Sequence, residues 1–307
     1  MGQGWLLDGQ GAHSFRAGGR HDLRAVAWRP ASWEALVAGN QGALARVTAT
    51  GTVHDLPSGL RDNLRGIAWR PDGVLALLVG NAGTLALYDG SVRAAAPPRP
   101  VNLRRAAWRP DGTSCLVVGN DGLTLLWQDG RTRSAGWGRS HLRDVAWRPD
   151  GALALIAGNG ALYRFAPDLD DLELLSELPL GDFTGVAWAP GGDRALVVGY
   201  HQVGPALDDR ASVAWLVGAS GEQLQPALPP LAGAVAVAVA ARPGSEEFWI
   251  VLQPVEPEGS SRVVRWSGNG LDVVFSSSSV RLTQLSFSPT GAHAIVVGSP
   301  RAAFWRS

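Results

Sequence analysis

The chain has 307 residues, with 27 basic and 27 acidic side chains and no formal net charge, so no imbalance draws it to nucleic acid or to an anionic membrane. It is 46% hydrophobic and 18% charged, a globular composition, and all its basic residues other than histidine are arginine. Its single cysteine, Cys115, excludes an intramolecular disulfide and a multi-cysteine metal site.

One string organises the sequence. "LRDVAWRPDG" stands at Leu142–Gly151, recurs at Leu64–Gly73 and Leu103–Gly112, and is weaker at Leu23–Pro30. It decays to "FTGVAWAPGG" (Phe183–Gly192), "AVAVAARPGS" (Ala236–Ser245) and "LTQLSFSPTG" (Leu282–Gly291). The anchors Trp28, Trp69, Trp108, Trp147, Trp188, Ala241 and Phe287 are separated by 41, 39, 39, 41, 53 and 46 residues. A period near 40 marks a repeat architecture.

Taken in order, the chain opens with Leu6-Leu7-Asp8-Gly9, which matches Leu87–Gly90 as a third strand and its turn, and Ala12–Arg16 reads as a fourth. The third copy shows a whole unit. Asn102–Trp108 is a strand, and "RPDG" turns the chain because Pro110 presets φ and Gly112 accepts a left-handed conformation. Ser114–Asn120 is a short buried strand, "GNDG" turns again, Leu123–Gln128 is a third strand, and Arg131–Ala135 follows a tight Asp-Gly turn. Copies one to four are tight. Copy five inserts His201–Arg210 and copy six Pro254–Ser261, both between second and third strands. The apolar run Ala232–Ala241 is too short to span a bilayer and reads as a buried strand. The last residues, "AIVVGS" and "AAFWRS", read as a second and a third strand. The segments around Trp5 and Trp305 both fit a third strand. The C-terminal run is expected to take it, leaving the N-terminal segment outermost.

Four strands in about 40 residues, without helical periodicity, predict one blade of a β-propeller. Seven anchors predict an all-β, seven-bladed propeller with four antiparallel strands per blade, one domain over 1–307. First strands are expected near 22–29, 63–70, 102–109, 141–148, 182–189, 235–242 and 281–288, with residues 4–16 completing the last blade. A small residue precedes each anchor (Ala27, Ala68, Ala107, Ala146, Ala187, Ala240, Ser286), so tryptophan over alanine should fill the space between blades.

These residues resemble the WD-repeat family of propellers. "AWRPDG" and "SFSPTG" stand for that family's Phe-Ser-Pro-Asp-Gly, and "GNDGLTLLWQ" for its Gly-Ser-x-Asp-Gly…Trp hairpin. Trp127-Gln128 is the nearest approach to the Trp-Asp dipeptide. The short "GNxG" turns are also similar to bacterial repeat propellers of the photosystem-assembly type. The resemblance implies a propeller fold and leaves function open.

The functional candidates gather where the copies differ. Arg24, Arg65, Arg104 and Arg143 stand four residues before their anchors, where later copies carry Thr184, Val237 and Thr283. At the start of innermost strands they would edge a central channel, where converging guanidiniums suit an anion or an acidic peptide segment. The competing reading pairs each with a local acid such as Asp22, Asp62 or Asp144. Two positions further back stand Asp22, Asn63, Asn102, His141, Asp182 and Arg281, a mixed polar set that suits a partner-reading rim or drift in a solvated loop. Tyr200 and His201 head the first insertion.

No histidine pair has metal-ligand spacing, no nucleophile motif occurs, and "DLDDLE" (Asp168–Glu173) lacks the glycine and terminal glutamate of a calcium loop. The expectation is therefore a non-enzymatic protein–protein interaction scaffold. It has no catalytic residue, metal or cofactor, and it binds a protein partner on the rim carrying 201–210 and 254–261. A small-molecule or anion sensor at the channel mouth is the alternative, and a propeller hydrolase or lyase the more distant one. The composition suits a GC-rich bacterial genome. The opening "MGQGWLLDGQ" lacks the basic region and apolar core of a secretory signal, which points to the cytoplasm, without nucleic-acid binding or membrane insertion.

Overall fold

The structure is a computed structural model describing residues 2–95, 99–167, 171–206, 209–221, 224–268 and 270–300. β1 (Gly2–Asp8) and β2 (Gly11–Ala17) form an opening hairpin. Three four-stranded antiparallel sheets follow. The first holds β3 (Leu23–Trp28), β4 (Glu34–Gly39), β5 (Leu44–Thr48) and β6 (Val53–Asp55). The second holds β7 (Leu64–Trp69), β8 (Ala76–Gly80), β9 (Leu85–Tyr88) and β10 (Val92–Ala95). The third holds β11 (Leu103–Trp108), β12 (Cys115–Gly119), β13 (Leu123–Gln128) and β14 (Arg131–Trp137).

The fourth sheet breaks the pattern. It has six strands: β15 (Leu142–Trp147), β16 (Ala154–Phe165), β17 (Glu173–Trp188), β18 (Arg194–Gln202), β19 (Arg210–Gly218) and β20 (Leu224–Ala232). The fifth holds β21 (Ala234–Ala241), β22 (Phe248–Pro254), β23 (Ser261–Trp266) and β24 (Leu271–Ser277). β25 (Val280–Phe287) and β26 (Ala294–Pro300) pair with the opening hairpin to make the sixth, in the order β2-β1-β26-β25.

The expected seven blades of four strands are thus corrected to six sheets. Counting anchors counted first strands, and Trp147 and Trp188 share one sheet. The cause is local. The turn "GNGA" at Gly158–Ala161 is one residue shorter than "GNDGL", so the second and third strands of that repeat run on as β16. No loop then separates the next two, which run on as the 16-residue β17. The Asn159↔Asp182 pairing carries the ladder across. The first strands still touch in a closed cycle, β3, β7, β11, β15, the second half of β17, β21, β25 and back to β3, around a central channel.

The closing sheet carries a second correction. β1 pairs directly with β26, Leu6 opposite Ile295 and Gly4 opposite Val297. The N-terminal segment therefore supplies the third strand as well as the outermost one. The run "AAFWRS" lies outside the described residues.

Packing between repeats follows the expected alternation. The indole N–H groups of Trp28, Trp108, Trp147 and Trp188 donate to the carbonyls of Ser286, Ala68, Ala107 and Ala146 in the preceding repeat, at 3.0–3.2 Å. A small residue there leaves room for the ring and its carbonyl satisfies the buried donor. Trp69 is the exception, its indole nitrogen buried without a partner. On the "RPDG" rim, Arg29, Arg70 and Arg109 lie 5.5–6.0 Å over the anchor rings of the following repeat, Trp69, Trp108 and Trp147. Among the described residues no helix is long and apolar enough to cross a membrane.

Candidate functional site

The opposite rim is built by a close backbone approach. Gly39, Gly80 and Gly119 at the ends of their strands, and Gly158, Gly199 and Gly298 within longer ones, stand where a Cβ would come within 1.8–2.9 Å of the carbonyl oxygen six residues before the anchor. The asparagine that follows each of the first four donates its backbone N–H to the same carbonyl at 2.8–2.9 Å (Asn40, Asn81, Asn120, Asn159). This contact sets the asparagine side chain beside the arginine of its own repeat. Arg24, Arg65, Arg104 and Arg143 donate Nε to the Oδ1 of Asn40, Asn81, Asn120 and Asn159 at 3.3, 3.0, 2.8 and 2.6 Å. Each guanidinium is oriented through Nε; this leaves the outer nitrogens of Arg65, Arg104 and Arg143 for the channel, while Arg24 gives one of its own to Asp22.

All seven residues four before the anchors line one cavity of about 240 Å³ at the channel mouth: Arg24, Arg65, Arg104, Arg143, Thr184, Val237 and Thr283. The four arginines are consecutive, so one arc of the ring is cationic, while the ring positions of the other, Thr184, Val237 and Thr283, carry no charge. Thr184 and Thr283 spend their hydroxyls on backbone carbonyls, Thr184 at 2.7 Å from Ala236 O and Thr283 at 3.1 Å from Val297 O. Arg105, Asp182 and Tyr200 complete the wall, and the last two bond to each other, Oη to Oδ2, at 2.6 Å.

Charge compensation is sparse. Arg24 meets Asp22 at 3.3 Å. Among the described residues Arg65, Arg104 and Arg143 form no ion pair, contrary to the reading that paired each with a local acid. Burial and the charges of Arg24, Arg104 and Arg105 hold Arg65 down to about 10. Burial, then Arg143 and Arg105, also lower Arg104. Burial and the hydrogen bond to Asp182 push the Tyr200 hydroxyl up to about 12. Crowded cations that lose water and gain no counter-charge are poised to accept an anion.

The mixed polar set has an unforeseen role. Asn63, Asn102 and His141 accept the backbone N–H of the left-handed residue in the preceding repeat's turn: Gln41, Ala82 and Asp121, at 2.9, 2.9 and 3.0 Å. These turns hold φ of 54°, 52° and 56°. The side chains differ in kind and share one acceptor function, stapling repeat to repeat outside the cavity. His201 also lies outside it, paired across β17 and β18 with Gly181.

Arg105 was missed. It stands three before its anchor, where four copies have the small residues Ala25, Gly66, Gly185 and Ala238 and two others have Asp144 and Gln284; that departure was the available signal. It lines the same cavity, donates to the carbonyls of Arg65 and Arg104, and meets Asp144 at 3.8 Å. Asp144 in turn accepts the N–H of Val145 and of Val186. The asparagines were also legible in principle. Copies with arginine at the ring position carry asparagine sixteen residues on, and copies without it carry Tyr200, Gln253 and Ser299. Among the described residues no three His, Cys, Asp or Glu side chains come together as a metal-binding group.

No protein-family model matches the chain, and no curated protein sequence matches it. Among solved structures it is similar to hydrazine synthase from Kuenenia stuttgartiensis, with a TM-score of 0.73 over 94% of this chain and 97% of that one. The chain is a β-propeller. At 13% identity the likeness speaks for the fold alone. The WD-repeat resemblance has no family-level match behind it.

Proposed function

We propose that this propeller is a non-enzymatic recognition module that takes an anionic group of its partner into the channel mouth. One observation carries the reading: four consecutive guanidiniums, each oriented through Nε by an asparagine, face one cavity, and three of them lack a carboxylate. Fixed, planar donor forks suit carboxylate or phosphate oxygens and lose little entropy on binding. The rest of the molecule supplies rigidity. Indole–carbonyl bonds and side-chain staples tie repeat to repeat, so the ring presents the arginines at set positions.

Titration with citrate and with inorganic phosphate tests this, read by calorimetry and by thermal melting at 50 and 150 mM salt. The expected result is saturable binding that raises Tm, weakens with salt, and falls at least about tenfold in Arg104→Gln/Arg143→Gln. The glutamines keep length and polarity, and the unliganded melt of the variant reports its folding. Absence of binding by either anion, or equal binding by the variant, refutes the reading.

A further inference from the structure

The channel mouth does not stand alone. A second concavity, an open groove of about 560 Å³, shares Asp182 and Tyr200 with it and runs out along the rim. Its walls include Leu178, Pro179, Leu180, Gln202 and Arg210. The lip exists because β17 bulges. The register with β16 jumps from Asn159↔Asp182 to Ala161↔Glu177, and the register with β18 begins at Gly181. Residues 178–180 therefore fall between the two ladders. Leu180 is left-handed at φ 57° and 79% exposed, an uncommon state for a leucine.

Three chemistries follow one another along this path. The ring provides cationic forks. Tyr200 is a half-buried aromatic wall, steadied by Asp182 on its hydroxyl and by Arg210 at 5.0 Å from its ring. The bulge offers apolar side chains and strand backbone that no neighbouring strand pairs in register. Resting on the anion-recognition reading above, we infer that the mouth and groove together bind an extended segment of a partner protein. That segment places acidic side chains on the arginine arc and an apolar side chain on the Leu178–Leu180 lip. Charge complementarity selects the acidic end. The unpaired backbone favours a peptide, which can match it with main-chain groups of its own.

Fluorescence polarisation at 150 mM salt tests it, with labelled Gly-Leu-Ser-Asp-Asp-Gly and the reversed Gly-Asp-Asp-Ser-Leu-Gly, since chain direction is open. Controls replace the leucine by serine or both aspartates by asparagine. At least one parent peptide should bind, and each replacement should weaken it by about tenfold, the least expected for covering one leucine side chain. Leu180→Ser should weaken the parent peptide similarly and leave citrate binding intact, whereas Arg104→Gln/Arg143→Gln should weaken both. Citrate binding without leucine dependence, or a parent peptide unaffected by Leu180→Ser, overturns the groove and spares the mouth. Loss of citrate binding altogether overturns both. Tighter binding of a labelled uridine oligonucleotide than of either peptide overturns the peptide assignment.

Discussion

Exchanging Asp144 for alanine removes the counter-charge of Arg105, which lines the cavity with the arginine ring. The two side chains retain only 18% and 20% of their accessible surface, so this is nearly an interior pair. The exchange strips Val145 and Val186 of an acceptor at 3.0 and 3.1 Å and leaves the Arg105 guanidinium with carbonyl partners alone. Breaking a buried pair from one side costs about 3–5 kcal/mol, and the residual exposure puts this case near 3. For a chain of this size that lowers Tm by roughly 6 °C. Arg105→Ala/Asp144→Ala behaves differently, because it restores the small residue that four of the other five repeats carry at this position (Ala25, Gly66, Gly185, Ala238). It should cost about 1 kcal/mol or less, giving a coupling of at least about 2 kcal/mol in a double-mutant cycle completed by Arg105→Ala. Burial raises the Asp144 carboxyl despite Arg105 and the two N–H donors. A raised folded-state pKa contributes stability that is full below the unfolded value of 3.8 and fades as pH climbs through the folded one. Asp144→Asn should therefore compare better with the parent at pH 7 than at pH 3. Urea melts of the four proteins at both pH values measure this. Additive losses in the cycle, or a double variant no better than Asp144→Ala, would refute the argument.

Asn120→Ala should free the Arg104 side chain and weaken citrate binding by about threefold to tenfold, with little change in Tm, since a part-buried hydrogen bond contributes about 1 kcal/mol. Gly119→Ala drives a Cβ to 2.6 Å from Asn102 O and should destabilise by 2 kcal/mol or more (~4 °C), whereas Gly9→Ala meets nothing within 4 Å and should be near neutral in the same melts. Trp108→Phe should cost about 1 kcal/mol more than Trp69→Phe, because only the first loses an indole–carbonyl bond.

Much of the architecture was legible because it is written in repeats. The anchor period located every first strand, and the alanine before each tryptophan announced the packing that the indole bonds complete. The arginine arc was readable because position relative to the anchor decides where a side chain points. What escaped depends on departures of one or two residues. The missing residue in "GNGA" fused strands into a six-stranded sheet, and a count of anchors is blind to hydrogen-bond continuity. The closing strand was misassigned because two segments carried equally good strand patterns, and only pairing energy chooses between them. Asn63, Asn102 and His141 looked like variation because sequence shows residue type. Their shared task, accepting one N–H, appears only when two repeats are placed side by side.

The pairing of β1 with β26 also sets an order of events in synthesis. The 285 residues between Asp8 and Ala294 emerge before that ladder can form, a wait of roughly 15–60 s at ribosomal rates of about 5–20 residues per second. Trp5, Leu6, Leu7 and Phe15 would meanwhile lie open to other chains. The first sheet offers them shelter. Gly18 donates its N–H to Asp55 at 2.8 Å, and Leu6, Phe15 and Ala17 share one apolar cluster with Leu23, Val26, Trp28 and Val37. The opening hairpin can thus rest on its immediate successor in the chain, holding the inner edge of β1 ready for strands made last.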